Sequence, residues 1–153
     1  MDHDIIQFGL YVPPHPHPLL SPGASEGYQR LRDAFDTCRE RIENSDADLI
    51  IVYSTTWPSI IGHQFQANPN SEWVHVDDDF HYLGSMPYSV TMDSVFAEAC
   101  VEKAKERGLQ ARTVNYDAFP IDTGSITALS LLNPDNRIPA TIVSSNMYAN
   151  RSE

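Results

Sequence analysis

The feature that most constrains this chain is a strand, a long helix and a second strand in direct succession. The first strand is read at 5-IIQFGLYV-12, nearly continuous in apolar character, and proline closes it. The helix is read from Ser21-Pro22 to about Ser45, with proline in its first turn. Its stripe is Tyr28, Leu31, Phe35, Cys38 and Ile42, stepping by three or four residues. The second strand is 48-DLIIVYS-54. Two parallel strands joined by a helix make a right-handed crossover unit. A chain built on that unit is an α/β protein with a mainly parallel sheet flanked by helices.

The remainder extends the pattern. A second helix is read over 92–107, with Val95, Phe96, Ala99, Cys100 and Lys103 inward, Asp93 at its start and Gly108 at its end. A strand follows at 110-QARTVNY-116. A short helix is read after a Ser125 cap, with Ile126, Leu129 and Leu132 inward, and a last strand at 138-IPATIVSS-145. Residues 55–88 read as an irregular region with two strand-like pieces, 72-EWVHV-76 and 80-FHYLG-84. A loop of that length inside a compact domain usually serves function or covers something.

At 153 residues the chain fits one domain with a real core. Its net charge of -11 argues against a phosphate backbone or an anionic membrane surface as partner. No stretch is long and apolar enough to span a bilayer, and no signal peptide is read at the N-terminus, so the cytoplasm is the expected location. Cys38 and Cys100 sit on apolar helix faces without metal spacing and read as buried free thiols.

Several residues invite chemistry. His15 and His17 lie in 12-VPPHPHP-18, at the end of the first strand, where α/β sheets keep their ligands. A metal centre needs about three protein ligands, and a proline-rich turn explains the same histidines. His63, His75 and His81 match no metal motif and lie among aromatics, so packing at a lid or interface is the plainer account. Asp77, Asp78 and Asp79 are adjacent and read as a solvated turn, since neighbouring carboxylates diverge. Asp122-Thr123-Gly124-Ser125 reads equally as an anion site or an ordinary capped helix.

Four stretches taken together, 50-IIVYSTTW-57, 73-WVHVDDDF-80, 96-FAEACV-101 and 114-VNYDAFPIDTGSITALSL-131, resemble the class III extradiol ring-cleavage dioxygenases. The likeness is greatest to the two-subunit 2-aminophenol dioxygenases, and within these to the non-catalytic α type. It covers most of this chain but only the N-terminal part of the family domain, so 1–153 reads as a single, incomplete α/β domain. The resemblance implies Fe(II) in active members, held by two histidines and a glutamate. His15, or His17 if the prolines are shifted by one, stands at the first ligand position as a vestigial candidate. Thr56 stands where active members carry the second histidine, and Ser130 where they carry a further one. The glutamate belongs to the part of the family domain beyond this chain.

The resemblance therefore implies a non-catalytic subunit or fragment, with no catalytic residues and no stably bound iron of its own. Its implied partner is a second copy or a catalytic β-like subunit, and a small aromatic is its implied ligand. Trp57, Phe65, Trp73, Phe80 and Tyr82 are the interface candidates, because aromatics are enriched at such surfaces.

Overall fold

The computed structural model describes residues 6–150. It opens with a short helix, α1 (His17–Leu20), a 3₁₀ turn at Pro22–Ala24, and α2 (Glu26–Glu43). Then come β1 (Ile50–Ser59), β2 (His63–Gln66), β3 (Asn70–His75) and β4 (Met86–Thr91). The chain ends with α3 (Ser94–Glu106), β5 (Ala111–Val114), α4 (Thr123–Leu132) and β6 (Ala140–Asn146). Strands β1, β6, β2 and β5 form one sheet in that order, and β3 pairs with β4 in a separate antiparallel hairpin. In the larger sheet β1 runs parallel to β6 and β2 parallel to β5. Only the β2–β6 contact, Phe65 opposite Val143, is antiparallel. The α/β class and the mostly parallel sheet are as expected.

The strand read at 5–12 is not formed. Residue 5 lies outside the described residues, and 6–12 join no ladder. Gly9 weakens the segment as a strand. Phe8 and Val12 instead pack against a cluster of Phe35, Ile42, Leu131 and Leu132 between α2 and α4. Tyr11 projects fully into solvent.

Local chemistry also moves two helix starts and one helix face. The α2 cap is Ser25, whose Oγ accepts from the N–H of Tyr28 at 3.1 Å, and Ser21-Pro22 begins only the 3₁₀ turn. The α4 cap is Asp122, three residues before Ser125. In α3 the Asp93 cap is as expected, but Ala97 and Val101 are the buried residues and Val95 is exposed. The stripe is turned by about one residue from the sequence reading, with Phe96 and Cys100 half-buried at its margin and Ala99 and Lys103 exposed. Neither cysteine is fully buried.

The region 55–88 is more regular than expected. The second strand-like piece is a 3₁₀ turn at His81–Leu83, and β3 pairs with 86-MPYSVT-91 instead. Met86, Tyr88 and Val90 face inward from β4. They join Met92, Ile121, Ile126, Leu129, Ala140 and Ile142 in the main core. Gly62 has φ +92° and leads into β2 where an added Cβ would lie 2.3 Å from the Gln110 carbonyl oxygen. Only glycine lets the chain turn that closely against β5. Ile51 and Tyr53 on β1, at the edge of the sheet, are exposed. Among the described residues no helix is long and apolar enough to cross a membrane.

Candidate functional site

The C-terminal end of β1, the proline-rich turn and the start of α4 meet at one place. The β1–β6 register shifts between Ser54 and Pro58, so 55–57 bulge away from the ladder. Ser54 closes the bulge: its Oγ accepts from the N–H of Thr56 at 3.2 Å and of Trp57 at 3.1 Å. Its own proton goes to Asp122 Oδ2 at 2.8 Å. The same oxygen accepts from Thr56 Oγ1 at 2.5 Å and from the N–H of Ser125 at 3.0 Å. Asp122 Oδ1 accepts from Ser125 Oγ at 2.8 Å. One carboxylate thus gathers four donors. Gly124 allows this closeness, because a Cβ there would lie 2.6 Å from Thr56 Oγ1 and 3.0 Å from Pro14 Cβ. The 122–125 motif is therefore a capped helix whose N-terminus already holds an anion, its own aspartate.

A second network adjoins the first at Thr123. The Thr123 hydroxyl donates a short hydrogen bond to Asp77 Oδ2. With its one proton committed, Thr123 Oγ1 accepts from His75 Nε2–H at 2.9 Å. Asp77 Oδ1 accepts from the N–H groups of Asp79 and Phe80, both at 2.9 Å. Burial alone would push the Asp77 carboxyl up, but the Thr123 hydroxyl, the Phe80 and Asp79 amides and His75 together hold it below its ordinary value. Asp78 and Asp79 are exposed, so only Asp77 departs from a solvated turn. His81 Nδ1 bonds the Asp78 carbonyl at 3.1 Å, and His63 is half-buried in β2.

Phe80, held by that turn, packs against both proline-flanked histidines. His15 is exposed and meets the Phe80 ring edge-on at 5.5 Å. His17 is 8% exposed, stacks on Tyr28 at 4.3 Å and meets Phe80 at 4.9 Å. The ring centroids of the histidines are 6.4 Å apart and nearly perpendicular. His17 Nδ1 is buried without a hydrogen-bond partner.

These positions do not fit an iron centre. Among the described residues no group of three or more His, Cys, Asp and Glu side chains converges to hold a metal ion. Thr56 is drawn to the site, but its hydroxyl is a donor to Asp122 and a poor Fe(II) ligand. Ser130 is not drawn to it. It lies seven residues along α4 from Thr123, about 10 Å of helix axis away.

Of the proposed interface aromatics, Trp57 packs on the main core and on Phe119 at 5.5 Å, and Phe65 and Phe80 are half-buried. Trp73 and Tyr82 are each 67% exposed. Asp122, Ser54, Thr123 and His75 carry the networks. The sequence singled out Asp122, Thr123 and His75 but not Ser54, and it placed the helix cap at Ser125 rather than Asp122.

The family model described as the catalytic LigB subunit of aromatic ring-opening dioxygenase matches residues 9–153. The 2-aminophenol 1,6-dioxygenase alpha subunit of a Pseudomonas species is 32% identical over 138 residues, which cover 90% of this chain and 51% of that protein. The beta subunit of the same enzyme, also from Pseudomonas, is 30% identical over 144 residues, covering 89% of this chain and 47% of its own length. The chain thus spans about half the length of the curated relatives it matches. Among solved structures, an uncharacterized protein of Escherichia coli K12 aligns at a TM-score of 0.47 and 17% identity, over 72% of this chain and 39% of that one.

Proposed function

The chain belongs to the LigB family of class III extradiol dioxygenases, and we propose that within it this chain is a non-catalytic, α-like subunit or fragment that stabilises a catalytic partner. The observation that carries the reading is the Thr56–Asp122 hydrogen bond at 2.5 Å. Family members use Fe(II). Where the resemblance puts a second iron ligand, this chain has a hydroxyl that ties β1 to the cap of α4. His15 is then a vestige of the first ligand, and a lone imidazole gives weak, exchangeable metal binding. The aromatic substrate class, catechols or 2-aminophenols, belongs to the partner. Trp73 and Tyr82, both exposed, are the better of the interface candidates.

A second reading rests on His17. Its buried, unpartnered Nδ1 between Tyr28 and Phe80 favours a domain that still takes a metal or a small aromatic once another chain completes it.

The test is ring cleavage of catechol and 2-aminophenol by the purified chain after anaerobic loading with Fe(II). The expected rate equals that of free iron. Turnover well above that background, abolished by His15→Ala, would overturn the first reading. Tight stoichiometric Fe(II) binding lost in His17→Ala would move the assignment to the second.

A further inference from the structure

We propose that the loop between β3 and β4, residues 76–85, is a lid over His17 that opens when Thr123 releases Asp77. The proposal concerns access to this imidazole, and it stands whether or not His17 takes a ligand.

The loop is tied to the body of the protein at few points. None of its residues is buried, and only Asp77, Phe80 and Leu83 are half-buried. The ladder that carries it ends at His75 opposite Met86. Beyond that pair its backbone bonds close within the loop. The Leu83 N–H bonds the Phe80 carbonyl at 2.9 Å, and the Gly84 N–H bonds the His81 carbonyl at 3.1 Å. His81 likewise bonds back to Asp78. Among the described residues, one hydrogen bond joins the loop to the rest of the chain, donated by the Thr123 hydroxyl to Asp77. Segments with few buried contacts are those that open locally while the remainder stays folded. At the far end of the loop Gly84 has φ +104°, and nothing lies within 4 Å of where its Cβ would stand. Glycine serves backbone conformation there rather than close packing, which suits a hinge.

That single bond is relayed to the ring that does the covering. Thr123 holds Asp77 Oδ2, and Asp77 Oδ1 holds the N–H groups of Asp79 and Phe80. The Phe80 ring then meets the His17 imidazole at 4.9 Å, while Tyr28 stacks on that imidazole at 4.3 Å. Between them His17 is nearly shut off from water. His15 touches the same Phe80 ring but is exposed, so it is reached without any opening. The lid thus distinguishes two imidazoles of one motif.

The closed arrangement is balanced rather than locked. His17 Nδ1 is buried without a hydrogen-bond partner, and a buried polar atom left unpaired is unfavourable. Against this stand the apolar contacts of Phe80 and a hydrogen bond to a carboxylate, which is of the stronger kind. Opening reverses all three together. It lets water or a ligand reach Nδ1, exposes Phe80 and breaks the Thr123–Asp77 bond. Opposed terms of this kind give an element with two positions, whose populations shift with any change at the latch.

The test is acylation of histidines by diethyl pyrocarbonate at neutral pH, read residue by residue on the folded, intact chain by fragment-ion mass spectrometry. In the wild type His15 is expected to react faster than His17. Thr123→Val and Asp77→Ala each remove the latch. Losing a hydrogen bond to a charged group should speed His17 by about tenfold or more, with His63 in β2 unchanged. Thr123→Ser keeps a hydroxyl and should keep the wild-type rate. Phe80→Ala uncovers His17 directly, and adding Thr123→Val to it should give no further increase, because the latch acts through that ring. Four results would each overturn the proposal: a wild-type His17 as reactive as His15, a His17 rate indifferent to both latch variants, a further increase in the double variant, or an acceleration that His63 shares.

Discussion

Replacing Asp122 with alanine should be among the most damaging single changes this fold can take outside its apolar core. Three losses coincide. The α4 cap disappears, which costs about 1 kcal/mol. The hydroxyls of Ser54 and Ser125, 4% and 1% exposed, lose their acceptor where water has little access. Hydrogen bonds to a charged group contribute about 1.5–3 kcal/mol each. Thr56 is exposed, so its hydroxyl recovers a bond to water and adds little. Because the losses share one carboxylate they do not add fully, and the expected total is about 3–5 kcal/mol. With a urea slope of about 2 kcal/mol/M the midpoint should fall by about 2 M. Asp122→Asn keeps one acceptor oxygen and the side-chain shape, and should recover roughly half of the loss. An Asp122→Ala chain within about 1 kcal/mol of wild type would mean that the serines find other partners, and the shared-carboxylate account would be wrong.

Gly124→Ala sets a methyl 2.6 Å from Thr56 Oγ1 and 3.0 Å from Pro14 Cβ, and should cost about 1–3 kcal/mol by overpacking. The added Thr56→Ala should relieve part of it, so a strictly additive double mutant in urea titrations would refute the contact. Asp77 has a folded pKa below its ordinary value, so its contribution to stability is fully present above about pH 4 and is lost as pH falls through the folded value. Asp77→Asn should therefore be less stable than wild type at about pH 7, with the gap narrowing as the pH is lowered from about 4 through the folded value. Urea midpoints that stay equally far apart across that range would contradict this.

The parts of the fold that could be read from sequence are those whose local pattern and tertiary role agree. The strings 48–54 and 138–145 are long, apolar and β-branched, and they pair with each other as β1 and β6. Helix α2 shows its stripe because Phe35 and Ile42 do face inward. The segment read at 5–12 has the same local character, but its described residues 6–12 find no ladder, since a strand exists only with a partner and no pattern there names one. Strand β5 lies within the strand read at 110–116, whereas β2 is four residues long and too short to show a period. In β4 the alternation of Met86, Tyr88 and Val90 was present, and Pro87 masked it by arguing against a strand. At the candidate site the motif 12–18 was legible as chemistry. The packing of its two imidazoles on Phe80 was not, because Phe80 is placed by Asp77, which the distant Thr123 in turn holds. Hydroxyl networks leave almost no sequence signal, since serine and threonine are common and their partners are set by tertiary contact.

The threonine at position 56 has a structural role of its own. Its hydroxyl sits within 2.6 Å of where any Cβ at position 124 would stand, so the space on that side of β1 is sized for a small side chain. An imidazole could not occupy it without moving Gly124 or turning away from Asp122. In turning away it would strip the cap of one of its four donors, while the remaining three would still hold both carboxylate oxygens. The carboxylate would remain a structural acceptor rather than a free ligand, because lone pairs already accepting hydrogen bonds are costly to redirect in a partly buried site. Thr56, Gly124 and Asp122 thus form one joint between β1 and α4.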